Sequence, residues 1–166
     1  MDTPTIDRIE VLRLEPPPPE HEGSKPWRPG WQKTFRQATP FDRFDERVNR
    51  REPGGMIWVK ATASDGTFGL GSTDTGATAA ILIEHTLAPA VIGQQVGAID
   101  ACNDRMWHAC ISFGMEGLAA RAVAGVDLAL WDLWGKCADQ PVYRLAGGPH
   151  RQSVPCYLTG NDVDWG

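Results

Sequence analysis

The sequence lacks any long hydrophobic run. Its 166 residues contain no uninterrupted apolar stretch of about 18 residues, which is the length that predicts a membrane-spanning helix. The N-terminus has no positive region followed by an apolar core, so we expect no signal peptide. These features predict a cytoplasmic protein with no membrane partner.

Cysteine and histidine are few and scattered. The cysteines fit no C-x-x-C or zinc spacing, so reduced and mostly buried thiols are expected. The histidines form no H-E-x-x-H motif and no close pair. We therefore predict no metal site built from this chain alone. The residues concerned are Cys102, Cys110, Cys137, Cys156, His21, His85, His108 and His150.

Positive charge is concentrated in one segment of an acidic chain. The net charge is −5, which argues against nucleic-acid binding. Residues 25–51 nevertheless carry +5 by count, leaving −10 elsewhere. Such a segment attracts a small anion, or it is a solvated loop with locally paired charges. The composition does not separate these two interpretations.

Alternating apolar residues predict strands at 5–14, 56–63 and 67–73. Asp65-Gly66 predicts a tight hairpin turn between the last two, and Asp74 is assigned only to a turn. Gly69 and Gly71 either weaken the third strand or let another backbone approach. The three strands predict a small antiparallel meander, interrupted by a long loop at 16–55 that is rich in proline and glycine.

Helices are predicted at 75–88, where Pro89 ends the pattern, at 99–111 and at 115–137. The third helix is apolar on two faces, and the second face is predicted to need a partner surface. Asp127 lies at the edge of these faces and should be paired there. The second face consists of Ala120, Ala124, Leu128 and Trp131.

The end of the sequence predicts an interrupted fold. After the third helix, residues 141–148 are interpreted as a short strand-like connector with a Gly-Gly turn. Residues 153–158 predict one further strand that has no partner in the meander. His150 is expected to be exposed.

The order of elements and several motifs resemble the enolase superfamily. The motifs are VDLALWDLWGK at 126–136 and PVYRLAGG at 141–148, which resemble the helix that joins the capping domain to the barrel. Ala38-Thr39-Pro40, Ser72-Thr73 and Tyr157-Leu158-Thr159-Gly160 resemble the acid-sugar dehydratases of the L-rhamnonate dehydratase type. The resemblance implies an α+β fold: an enolase-like N-terminal capping domain at 1–140, and the entry and first strand of a truncated (β/α)-barrel at 141–166.

The resemblance also implies a chemistry. Enzymes of this kind abstract the proton next to a carboxylate, and Mg²⁺ stabilises the resulting enediolate. In an acid-sugar dehydratase, water is then lost to give a 2-keto-3-deoxy acid. The metal ligands and bases lie on later barrel strands. The chain alone is therefore expected to be inactive and to bind no Mg²⁺.

The same resemblance points to substrate contacts in the 16–55 loop, which would cover a small anionic sugar acid. Ungapped spacing from Ala-Thr-Pro puts a family arginine at Arg51, with Arg50 beside it, and arginine suits a carboxylate. Trp31 is preceded by Gly30, where the family has histidine. This departure puts the stereochemistry of the sugar acid in question.

Two other interpretations remain open from the sequence. The chain is consistent with a free-standing capping-domain module that binds small anions or another subunit. It is also consistent with another enolase-superfamily reaction, a racemase or cycloisomerase. In the dehydratase interpretation the second helix face lacks a partner surface, for which the missing barrel domain and a dimer interface are the two alternatives. The resemblance implies a homo-oligomer for the complete enzyme.

Overall fold

The computed structural model describes residues 3–13, 56–74 and 76–156. The 16–55 loop, with Trp31, Arg50 and Arg51, lies outside the described residues, as does the Tyr157–Gly160 motif. The chain divides into two compact units, Met1–Leu14 with Glu52–His150 and Glu15–Arg51 with Arg151–Gly166. The boundary between residues 140 and 141 stays a prediction.

The first unit contains the predicted three-stranded meander. Strands β1 (Ile6–Arg13), β2 (Ile57–Ala63) and β3 (Phe68–Thr73) form an antiparallel sheet in the order β1-β2-β3. At the turn between β2 and β3, Gly66 has a φ of 87° and the Thr67 amide donates to Asp65 Oδ1 at 2.8 Å. Glycine supplies this backbone conformation without steric cost, so the hairpin forms as predicted.

Helices follow the sheet. They are α1 (Gly76–Leu82), a π-helical turn (Ile83–Leu87), α2 (Ala88–Val91), α3 (Ile99–Ala109), a 3₁₀ turn (Ile111–Phe113), α4 (Leu118–Cys137) and α5 (Val142–Leu145). The α+β class, with an antiparallel meander preceding a helical bundle, is confirmed.

The prediction that Pro89 ends the first helix was wrong. Helical structure continues to Val91, and the amide of Ala88 donates to the carbonyl of Ile83, five residues back. Proline cannot donate and its ring clashes with the preceding turn of a regular helix. The wider π-helical turn just before Pro89 changes the hydrogen-bond register, so the chain stays helical through the proline.

Helix α4 begins at Leu118 rather than at Met115. Gly117, with a φ of 57°, directly precedes it, and a positive φ cannot belong to a right-handed helix. The apolar spacing continues without a gap from Met115 into the helix, so it could not show that Met115 belongs to the preceding turn.

Close backbone contact joins α4 to β3. A Cβ atom on Gly69 would lie 2.2 Å from the Ala129 carbonyl oxygen, and one on Gly71 would lie 2.3 Å from that of Gly125. Both glycines therefore let the helix backbone approach the strand, the second of the two roles considered for them. Packing of this kind buries the inner face of α4, including Ala122, Val126, Leu130 and Leu133.

The segment after α4 differs from the prediction. Residues 142–145 form the short helix α5 rather than a strand-like connector. The amide of Ala146 donates to the carbonyl of Val142, a local bond that needs no neighbouring strand.

In the second unit, the described residues 151–156 have no strand. A strand requires hydrogen-bonded neighbours. The last two residues of the predicted barrel strand, 157 and 158, lie beyond the described residues, so that strand stays a prediction.

Across the three described ranges, no helix is both long enough and apolar enough to cross a bilayer.

Candidate functional site

One end of the sheet, here called the loop end, marks where the chain leaves and re-enters the first unit. Arg13 pairs with Ile57, and Ile57 pairs with Thr73, so these three residues form one row across the sheet. The chain leaves the sheet after Arg13 and returns at Ile57. Trp31, Arg50 and Arg51 come between these two strands in the sequence and are outside the described structure.

A polar cluster joins the loop end to the first turn of α4. The Thr73 hydroxyl donates to the carbonyl oxygen of Arg121 at 2.8 Å. The Arg121 guanidinium forms an ion pair with the Asp74 carboxylate. The two charged side chains are 50% and 41% exposed. Sequence reasoning missed this cluster; the Ser72-Thr73 motif was the only available signal, because Arg121 is distant in sequence.

A second polar cluster lies at the hairpin end of the same sheet. Lys136 Nζ is 2.6 Å from Asp132 Oδ2 and donates to the Phe68 carbonyl oxygen at 3.1 Å. Asp132 Oδ2 also accepts the Leu70 amide at 2.7 Å. These bonds fasten the C-terminal half of α4 to β3, and each donor and acceptor in them lies on one of these two elements.

A shallow cleft of about 320 Å³ lies beside this second cluster, at the C-terminal end of α4. Its lining includes Gly135, Asp139, Gln140 and Val142 together with Asp132 and Lys136. Lys136 and Asp132 bond to each other and to β3, so the role of these two side chains here is structural.

Asp127 is paired, as predicted, at the edge of the α4 faces. Its Oδ1 accepts a hydrogen bond from Asn103 Nδ2 of α3 at 3.0 Å. Burial raises the pKa of the Asp127 carboxyl above its ordinary value, the Asn103 hydrogen bond opposes this, and the charge of Asp100 adds to it. The group therefore links two helices at an electrostatic cost.

The thiols have the environment of structural cysteines. Cys102 and Cys110 are buried, and burial raises the pKa of each thiol. A raised pKa keeps a thiol protonated and poorly nucleophilic. Cys137 is half-buried, with its pKa also raised by burial, and Cys156 is exposed.

Within residues 3–13, 56–74 and 76–156, no three His, Cys, Asp or Glu side chains come together in a way that could hold a metal ion. The donor set in the described residues therefore does not fit Mg²⁺. His150, which follows the predicted barrel entry, is exposed as predicted.

Helix α4 has an exposed apolar stripe opposite its buried face. Leu128 is 51% and Leu118 is 36% exposed, Ala124 is exposed, and Ala120 and Trp131 are half-buried. The preceding turn adds Phe113 and Met115, at 63% and 51%. Large exposed apolar areas of this kind mark surfaces that contact another protein segment. The unpartnered second face predicted from the sequence is therefore present.

These features define a class of protein: a capping-type α+β domain whose long helix α4 is fastened to a three-stranded meander. Residues 38–147 match the model of the mandelate racemase / muconate lactonizing enzyme N-terminal domain. The chain belongs to this family, within the enolase superfamily.

Individual relatives agree with the family. The chain is 40% identical over 132 residues to an L-rhamnonate dehydratase of Saccharopolyspora erythraea, covering 76% of this chain and 34% of the relative. The structure of L-rhamnonate dehydratase from Gibberella zeae matches with a TM-score of 0.70 and 25% identity, over 91% of this chain and 36% of that one.

A mandelate racemase/muconate lactonizing protein from Paracoccus denitrificans, complexed with magnesium, is also similar. It matches with a TM-score of 0.57 and 40% identity, over 61% of this chain and 28% of that one. The chain spans about a third of the length of the curated relatives that it matches.

Proposed function

We propose that this chain is the N-terminal part of an acid-sugar dehydratase that acts on an aldonate similar to L-rhamnonate. The observation that carries the proposal is the 40% identity to an L-rhamnonate dehydratase over 132 residues. The fold of the Gibberella zeae enzyme, which matches over 91% of this chain, supports it.

The proposed reaction removes the proton α to the substrate carboxylate and expels the neighbouring hydroxyl group as water. The enol that remains converts to the 2-keto-3-deoxy acid. Mg²⁺ would supply electrostatic stabilisation in the complete enzyme. The donor set of the described residues does not fit this ion, and barrel enzymes carry their catalytic groups at the ends of the barrel strands. We therefore propose that the metal ligands and the base lie on later barrel strands and that the chain alone is inactive.

This chain's proposed part is to help bind the anionic sugar acid. The positive excess at residues 25–51 in an otherwise acidic chain supports this role. Arg51 is the proposed carboxylate contact, and Arg50 and Trp31 are the other proposed substrate-binding residues. We further propose a homo-oligomer for the complete enzyme.

The test is an assay of the full-length protein against a panel of aldonates with Mg²⁺, with the 2-keto-3-deoxy acid product measured directly. One aldonate should be dehydrated, and EDTA should abolish the activity. Epimerisation or isomerisation without loss of water would instead favour a racemase or cycloisomerase. Absence of any reaction would favour the binding-module interpretation.

The substrate contact is tested by Arg51→Ala in the same protein. Loss of a charged hydrogen-bonding partner should raise the KM of the aldonate by about tenfold or more. Arg36→Ala is the matched control, because it removes the same charge from the same basic segment. An equal rise in both variants would indicate a general electrostatic effect and would reject Arg51 as a specific contact.

A further inference from the structure

The sheet has two edge strands, and one of them is covered by another backbone segment. At the β1 edge, the Ile6 amide donates to the Gln94 carbonyl oxygen at 2.8 Å, and the Gly93 amide donates to the Ile6 carbonyl oxygen at 2.8 Å. The β3 edge has no neighbouring strand within the described residues. An uncovered strand edge is a template on which another chain can add a strand, so the cover of β3 decides whether this edge is available.

Side chains of α4 occupy the β3 edge in its hairpin half. The Leu70 amide donates to Asp132 Oδ2 at 2.7 Å, and Lys136 Nζ donates to the Phe68 carbonyl oxygen at 3.1 Å. Alternate residues of an edge strand direct their backbone groups away from the sheet, and Phe68 and Leu70 are two positions apart. The groups that α4 binds are therefore the groups that an added strand would need.

The close approach of α4 makes this cover possible. A Cβ atom on Gly69 would lie 2.2 Å from the Ala129 carbonyl oxygen, so the helix lies directly against β3 and the short Asp132 side chain reaches the strand backbone. Lys136, one turn further along α4, has its Nζ 2.6 Å from Asp132 Oδ2. The ion pair thus holds both side chains over the edge, and lysine is a residue that proteins place on strand edges to prevent strand addition.

We propose that Asp132 and Lys136 form an edge cap, which prevents a second copy of the chain from adding its own β3 edge to the sheet. A second copy is the partner that fits this edge, because an antiparallel strand edge can pair with itself about a two-fold axis. Phe68, which is 43% exposed, would lie at that contact. Without the cap, the sheets of two copies would join through β3 into one continuous sheet.

The test uses Asp132→Ala with Lys136→Ala in the 166-residue chain, and analytical ultracentrifugation compares its association constant with that of the wild type. We expect a rise of about tenfold or more, because each copy then supplies free strand groups to hydrogen bonds with the other. Amide hydrogen exchange of the peptide 68–73 should be slower in the associated form than in the monomer. A double variant that associates no more than the wild type would overturn the edge cap.

The matched control is Asn103→Ala, which removes the hydrogen bond between α3 and Asp127 of α4 and leaves the β3 edge untouched. It should associate like the wild type. If it associates as strongly as the uncapped double variant, general loosening of α4 is the cause and the edge cap is rejected.

Ser72→Pro, added to the uncapped double variant, tests the edge itself. Ser72 is two positions from Leu70, so its amide also points away from the sheet, and proline there removes a donor that an added strand would use. Association should return to the wild-type level. Association that persists would place the contact elsewhere and overturn the proposal.

Circular dichroism checks that each variant is folded. If the double variant is unfolded, Asp132→Ala alone applies the same test, because it frees the Leu70 amide and leaves Lys136 in place. This single variant should still associate more strongly than the wild type, and no increase would count against the cap in the same way.

Discussion

At the residue scale, Asp127 shows how one side chain can join two helices and still reduce stability. Its hydrogen bond to Asn103 links α4 to α3, but burial raises the pKa of the carboxyl. The pKa of the Asp127 carboxyl is higher in the folded state than in the unfolded state. Its contribution to the free energy of unfolding is therefore fully present at pH values below the unfolded-state pKa. That contribution is lost as pH rises through the folded pKa. The ionised group therefore lowers the free energy of unfolding at neutral pH.

Asp127→Asn should accordingly raise the free energy of unfolding at pH 7, because the amide keeps an acceptor for Asn103 and carries no charge. The gain should shrink as pH falls through the folded-state pKa and vanish below the unfolded one. Urea denaturation at a series of pH values measures this. Asp104→Asn on exposed α3 surface is the control, and a gain that is independent of pH would contradict the assignment.

Gly69 is a second single-residue determinant, set by its distance from the backbone of α4. Gly69→Ala would place a methyl group 2.2 Å from the Ala129 carbonyl oxygen. The helix would have to move, and we expect a loss of about 2 kcal/mol or more in the free energy of unfolding. Thermal or urea denaturation measures it. Ser72→Ala, on the other face of the same strand, should change stability by less than about 0.5 kcal/mol.

At the scale of elements, α4 is the central element because it packs on the sheet with one face and leaves the other open. Leu130 is fully buried, whereas Leu128, two positions earlier, is 51% exposed. The same residue type thus has two environments on one helix. The apolar spacing of the sequence identified both faces and predicted that the one with Leu128 would need a further partner surface, and the structure leaves that face exposed.

Leu130→Ala should therefore lower the free energy of unfolding by about 3 kcal/mol, through lost burial and an internal cavity. Leu128→Ala, matched in chemistry and in helix position, should cost less than about 1 kcal/mol in the 166-residue chain. Chemical denaturation of both variants measures the difference. Equal losses would show that the Leu128 face is covered within this chain.

At the scale of the whole molecule, the apolar stripe of α4 is a surface that this chain leaves exposed. The chain spans about a third of its curated relatives, and we propose that the remainder of the complete enzyme covers the stripe. The exposed side chains at 113, 115, 118 and 128 would then be interface residues.

The 166-residue chain should therefore self-associate or bind hydrophobic dyes. Leu128→Lys should weaken that association while leaving the fold intact, because the position is already exposed. Analytical ultracentrifugation across protein concentrations, with circular dichroism as the check on folding, measures this. A wild-type chain that remains monomeric and binds no dye would refute the prediction.

The sequence by itself determined the meander, the hairpin turn, the two-faced helix and the family, because each depends on local spacing or on motifs that a linear pattern contains. The tertiary structure decided how helices and strands meet. In the structure a π-helical turn lets the helix continue past Pro89, α4 begins at Leu118, and residues 142–145 are helical. It also brought Asp74 to Arg121, which are far apart in the chain. Such pairings depend on how the backbone is folded in space, so local spacing could not reveal them.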